Sequence, residues 1–225
     1  MLGIETATHA VGVALADEQG PIGHVEIVRG RRHAETLVPA IASLLAQSGH
    51  VHADIGAVAV DVGPGLFTGL RVGVAAAKAF ALALGIPIVT ATSLEILAHE
   101  VAVGGLWEGS VFSVVDARRK EVYAQRFSID AAGAATAAED AWVGPASSVV
   151  DRARADGRPA FVVGDGAARH IELFANVPDL RCLPAASPSV AALLSLAAGR
   201  TPISADGVAL VYLRAPDAEI NWVQR

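Results

Sequence analysis

Hydrophobic positions come in short runs or alternate with polar ones over the first thirty residues. Residues 2–7, 11–17 and 22–29 have this pattern and are predicted strands. Thr8-His9 separates the first two, and Glu18-Gln19-Gly20-Pro21 is a turn by composition. The period then changes. Leu37, Ile41, Leu44 and Leu45 fall at i, i+4, i+7 and i+8, one face of a helix. Thr36 is its predicted N-cap, Pro39 is placed in the first turn, and Gly49 is the stop. Residues 55–62 read as a buried strand broken by Gly63-Pro64-Gly65. A second helix is predicted over 68–84, ended by Gly85, then a strand over 86–90, then a third helix capped by Ser93 with Glu95 in its first turn.

Gly104-Gly105 is the linker candidate, dividing the chain into lobes of residues 1–104 and 105–225. Beyond it, strands are predicted over 110–117 and 121–128, around the basic turn Arg118-Arg119-Lys120. Residues 131–141 read as a loop, 145–155 as a helix, 160–164 as a strand and 167–174 as a helix. Ser187-Pro188 opens a last helix to about Ala198, a candidate to pack back on the first lobe. Residues 208–214 are a candidate strand. Strand pairs recur in both halves with helices between, which points to two related α/β lobes.

Composition narrows the picture. Of 225 residues, 53% are hydrophobic and 18% charged, which excludes disorder and leaves apolar surface for a partner. Asp plus Glu is 23 against 17 for Lys plus Arg, a net charge of −6, unlike a protein that grips phosphate backbones by itself. The single cysteine, Cys182, excludes an internal disulfide and a cysteine zinc cluster and suits a reducing cytosol. Met1-Leu2-Gly3-Ile4-Glu5 has no basic n-region. The most apolar stretch, 72–89, carries Lys78 and Gly85-Ile86-Pro87, whereas a membrane span takes about 20 cleaner residues. The expectation is a cytoplasmic protein that does not enter membranes.

The sharpest segment, Gly63 to Arg71, joins a strand to a helix. Its glycines and the exposed amides of a helix start suit an anion, so it reads as a phosphate loop or as a tight structural turn. It lacks the Walker and dinucleotide spacings. In the helix that follows, Gly69, Gly73, Ala77, Ala81 and Gly85 recur every four residues and form a smooth ridge. Arg71 and Lys78 are its only charges, and a helix apolar nearly all round needs cover nearly all round. The ridge is expected to receive either a helix of the same chain or a second subunit. The candidate interface is Leu37, Ile41, Leu45, Gly69, Arg71, Gly73, Ala77, Lys78 and Ala81.

Other features are weaker. Glu5-Thr6 ends a buried strand where actin-like ATPases hold phosphate and metal with an aspartate. Arg29-Gly30-Arg31-Arg32-His33 and Arg118-Arg119-Lys120 read as solvated loops or as RNA-facing basic runs shared with a more basic partner. The seven histidines are scattered, and no Gly-x-Ser-x-Gly elbow occurs. Asp116 and Asp165 stand at strand ends, where α/β proteins often build sites.

The pieces Ile4-Glu5-Thr6-Ala7-Thr8, His33-Ala34-Glu35, Gly63 to Gly73, Thr92-Ser93-Leu94-Glu95, Asp116-Ala117-Arg118 with Glu121-Val122-Tyr123, and Tyr212-Leu213-Arg214 occur in that order. Together they resemble the bacterial TsaB family, also called YeaZ, densely over residues 1–125 and sparsely over 130–200. The resemblance implies a two-lobed actin-like (ASKHA) α/β fold with mixed sheets flanked by helices. It implies a non-catalytic scaffold or activator, with no cofactor of its own, in making threonylcarbamoyladenosine on tRNA. The implied partners are the catalytic relative TsaD and the ATPase TsaE, which use ATP and magnesium, with a homodimer when alone and tRNA met only indirectly. Glu5 stands where many relatives carry Asp and Leu66 where many carry Ser; both departures weaken a phosphate or metal site. The alternative is an actin-like ATPase, phosphotransferase or glycoprotease-like enzyme, with Glu5, Thr6, Gly63, Gly65 and Asp116 around a nucleotide. A homodimeric binding module without a tRNA role is the third reading.

Overall fold

A computed structural model describes residues 1–28, 32–183 and 187–214. The first half runs β1 (Leu2–Glu5), β2 (Val11–Asp17), β3 (Gly20–Ile27), α1 (His33–Ser48), β4 (Val58–Asp61), α2 (Phe67–Leu84), β5 (Ile88–Ala91) and α3 (Ser93–Val103). The second runs β6 (Gly109–Asp116), β7 (Glu121–Ile129), β8 (Ala135–Ala137), β9 (Trp142–Pro145), α4 (Ser147–Asp156), β10 (Ala160–Val163), α5 (Asp165–Arg169), α6 (Ile171–Ala175), β11 (Leu180–Leu183) and α7 (Val190–Ala197).

Two mixed sheets result, ordered β3-β2-β1-β4-β5 and β11-β10-β6-β7-β8, with β9 also paired to β7. In each, a central strand (β1 or β6) is antiparallel to its hairpin partner and parallel to a later strand (β4 or β10). The repeat suggested by the recurring strand pairs is therefore real at the level of sheet topology. Parallel neighbours are buried on both faces, which is why β1 and β4 read as unbroken apolar runs rather than alternating ones. Leu37, Ile41 and Leu45 of α1 and Val74, Ala77 and Ala81 of α2 share one core with the apolar side chains of β1, β2 and β4. On the other side of that sheet, Leu193 and Leu194 of α7 pack with Ala59, Val89 and Ile96. Leu94 and Leu97 of α3 meet Val111, Val115 and Phe127 of the second sheet. Thus α3 and α7 lie between the sheets, and α7 packs on the first sheet although it follows the second in sequence.

Several boundaries differ from the sequence reading for local reasons. Helix α1 begins at His33, not near Thr36, so Pro39 lies inside it. The buried His33 Nε2–H donates to Thr8 O at 2.9 Å and anchors that extra turn. Thr92, not Ser93, caps α3: its hydroxyl accepts from Glu95 N at 3.2 Å, and Glu95 Oε2 accepts from Thr92 N at 2.8 Å. Residues 131–141 are not all loop, because β8 pairs with β7. Residues 208–214 form no strand; Val211 N donates to Val62 O at 2.9 Å and the segment runs on as extended chain. Part of the first basic run, Arg29-Gly30-Arg31, lies outside the described residues.

Candidate functional site

The small-residue ridge of α2 is covered by the chain's own first sheet. Gly69, Gly73, Ala77 and Ala81 are all buried. A Cβ on Gly69 would overlap Thr6 O, and one on Gly73 would overlap Thr6 Oγ1. Thr6 Oγ1 donates to Gly69 O at 2.9 Å, which fastens the helix start to the end of β1. The expectation that this ridge stands bare for another subunit is corrected. Glycine is needed here so that a helix can seat directly on a strand. Leu37, Ile41 and Leu45 are likewise core residues, 1%, 1% and 3% exposed. Of the nine candidate interface residues, Arg71 is exposed and Lys78 half-buried. Arg71 lies over the Phe67 ring at 3.8 Å from its centroid.

The outward face lies one position along α1 and one or two positions along α2 from these buried rows. On α1 it presents Val38, Ala42 and Ala46; on α2 it presents Ala75, Ala79 and Leu82. Val38 is 61% exposed and Leu82 72%. No side chain at these six positions carries charge. The two helices pack against each other, and these positions are their exposed uncharged residues nearest the buried rows.

The interlobe cleft holds the nucleotide candidates, and its polar groups face inward. Glu5 is buried, and its Oε1 accepts from Ala7 N at 2.6 Å. Asp61 is buried too; its Oδ1 accepts from Gly63 N at 2.7 Å and from Ser93 Oγ at 2.9 Å. Burial, and then the charge of Asp61, push Glu5 well above the usual carboxylate range. Burial raises Asp61 to about 7 against the hydrogen bonds that favour its charged form. At the loop, Leu66 N donates to Ala7 O at 2.7 Å, and a Cβ on Gly65 would overlap that same oxygen. Two amides that a phosphate would use, those of Gly63 and Leu66, are therefore spent on the chain itself. The segment from Gly63 to Leu66 is a close-packed structural turn.

Across the cleft, Asp165 Oδ1 accepts from Asp116 N at 3.0 Å. Asp116 Oδ2 is 3.2 Å from Arg118 and 3.5 Å from Arg169. Arg118 also donates to His9 Nε2, joining the β6–β7 turn to the β1–β2 turn. Asp116 is thus held by cations of the protein itself. Among the described residues, no group of three or more His, Cys, Asp or Glu side chains is placed to hold a metal.

The sequence profile of the family described as TsaD, tRNA N6-adenosine threonylcarbamoyltransferase, matches residues 19–177. The tRNA threonylcarbamoyladenosine biosynthesis protein TsaB of Bacillus subtilis is 28% identical over 228 residues, covering 100% of this chain and 98% of that protein. An uncharacterized protein of Mycobacterium tuberculosis H37Rv is 39% identical over 97% of this chain and 93% of its own length. The crystal structure of YeaZ from Pseudomonas aeruginosa superposes with a TM-score of 0.82 at 29% identity, covering 94% of this chain and 98% of that one. The chain belongs to this family, in its TsaB (YeaZ) group. Its fold is the two-lobed actin-like one, and TsaB proteins take part in tRNA threonylcarbamoyladenosine biosynthesis.

Within the TsaB framework, the Tyr212-Leu213-Arg214 segment acts as a strap. Tyr212 packs on Phe67 with ring centroids 5.5 Å apart, and its hydroxyl accepts from Arg71 Nε at 3.5 Å. Two residues on, Arg214 donates to Ala117 O at 3.0 Å and pairs with Glu121. One short segment therefore joins the start of α2 to the β6–β7 hairpin. Sequence reasoning missed Asp61, which sits unmarked in a valine-rich strand. It also missed the outward residues Val38, Ala42, Ala46, Ala75, Ala79 and Leu82. The 3.6 period locates them once the ridge is assigned to the core.

Proposed function

We propose that this chain is the non-catalytic partner of a TsaD-like threonylcarbamoyl transferase acting on tRNA adenosine. It pairs through the outward face of α1 and α2, and a TsaE-like ATPase joins the assembly. The observation that carries this reading is the uncharged outward face made of Val38, Ala42, Ala46, Ala75, Ala79 and Leu82. Small side chains let a partner helix approach closely, and the two exposed large ones supply anchors. A helix pair from each subunit makes a four-helix contact. Self-pairing through the same face accounts for a homodimer when the partner is missing. The chain works in the cytoplasm, and ATP and magnesium act in its partners.

The second reading, an ATP-consuming enzyme, draws on the acids of the cleft. The inward-turned Glu5 and Asp61 and the spent amides of Gly63 and Leu66 favour the first. The test is the double variant Val38→Asp with Leu82→Asp. It is expected to keep the circular dichroism of the parent, to lose co-elution with the TsaD-like subunit, and to abolish threonylcarbamoylation in the reconstituted system. Unchanged association overturns the assigned face. ATP turnover by the chain alone that disappears in Asp116→Ala overturns the non-catalytic role.

A further inference from the structure

The β6–β7 hairpin turns through three consecutive non-glycine residues in the left-handed region: Arg118 at φ 63°, Arg119 at 53° and Lys120 at 66°. That conformation disfavours any side chain beyond glycine, and a run of three is unusual. Its scaffold is local. Ala117 N donates to Glu121 O at 3.0 Å, Glu121 N to Arg118 O at 2.9 Å, and Arg118 N to Asp116 Oδ1 at 3.0 Å. Glycine would make the same turn without strain, yet every position carries a cation. Arg119 and Lys120 are exposed.

Other cations gather around the turn. Arg169 reaches Asp116, and Arg214 is tied to Ala117 O. On the other side, His9 accepts from Arg118 while the neighbouring Thr8 accepts from His33, whose preceding residue, Arg32, is exposed. Arg32 and His33 on one side and the basic hairpin turn on the other therefore flank the β1–β2 turn. Among the described residues, the six cations Arg32, Arg118, Arg119, Lys120, Arg169 and Arg214 stand here with the carboxyl groups of Glu5, Glu35, Asp116, Glu121 and Asp165. That is a local positive excess in a chain of net charge −6.

We infer that this basic rim is an RNA-backbone contact, so that the chain itself touches the tRNA instead of meeting it only through its partners. In a chain of net charge −6 the rim offers a polyanion local attraction, so it also biases the orientation in which RNA approaches. The inference rests on the tRNA role of the TsaB family and not on pairing with the TsaD-like subunit.

The experiment is fluorescence anisotropy of labelled unmodified tRNA with the full chain over a salt series, with melting and co-elution with the TsaD-like subunit followed in parallel. Arg119→Gly with Lys120→Gly relieves the left-handed strain, so its melting midpoint is expected to rise. Its tRNA affinity is expected to fall about tenfold at low salt, and its salt slope by about 1.5, the share of two phosphate contacts. Arg119→Gln with Lys120→Gln is expected to lose the same affinity without the rise in melting. Arg154→Gln with Arg158→Gln, outside the rim, is expected to bind as the parent does, and every variant is expected to keep its partner. The inference is overturned if the parent does not bind, if the turn variants keep the parent's slope, if the α4 control loses as much, or if the turn variants lose the TsaD-like subunit.

Discussion

Burial, with a smaller push from the charge of Glu95, makes Asp61 an unusual carboxyl group. Its pKa of about 7 against an ordinary 3.8 means that the folded protein holds a proton there which the unfolded chain releases. Between those two values the folded state binds more protons, so stability contributed by this site is present in acid and lost as pH rises from about 4 to about 7. The slope is at most about 1.4 kcal/mol per pH unit for one group. Glu5, raised by burial and by Asp61, adds to it with the same sign. Asp61→Asn keeps an oxygen to accept from Gly63 and Ser93 and removes the ionisation. Urea unfolding across that range is expected to show a shallower pH dependence for the variant and greater stability than the parent near pH 7.5. Equal slopes would falsify the assignment. None of this was legible beforehand, because a buried aspartate and a turn aspartate are written with the same letter. Only the neighbours Gly63 and Ser93, 2 and 32 positions away, tell them apart.

At the scale of the element, α2 decides how the first lobe is built. The sequence displayed its row of small residues clearly and left open what the row faces. A row of glycine and alanine serves close packing equally well against a strand or against another protein. Contact with Thr6 resolves it. Gly73→Leu therefore forces a branched side chain into Thr6 and Ile4 and is expected to cost about 3 kcal/mol or more, at the upper end of overpacking. A lowered urea midpoint in the isolated chain is the expected reading. A variant as stable as the parent that fails only in association would return the ridge to the interface. Helix ends were more legible. Gly49 and Gly85 both adopt the left-handed C-cap, since that signal is local chemistry. The short strands β9 and β11 were not, because four residues at a sheet margin carry too little alternation. Residues 208–214 misled in the opposite way: their apolar residues pack as extended chain without a ladder.

Taken whole, the molecule is two copies of one sheet plan, joined among the described residues by α3 and α7 between the sheets, by His9 with Arg118, and by the strap from Tyr212 to Arg214. Arg214→Ala removes one of these while leaving both cores untouched. The expected outcome is a calorimetric transition that separates into two components, the signature of lobes that no longer melt together. A single sharp transition at the parental midpoint would show that the helices between the sheets suffice. The two-lobe plan was legible in the recurring strand pairs. The strap was not, since its partners lie 141 and 97 positions away in the chain.

The strap also has a mechanical side. Its one end grips the root of α2 and its other end the basic hairpin, with a single leucine between. Anything that moved the hairpin would therefore pull on the root of α2 through three residues, and anything that shifted α2 would pull on the hairpin, with no hinge needed between them.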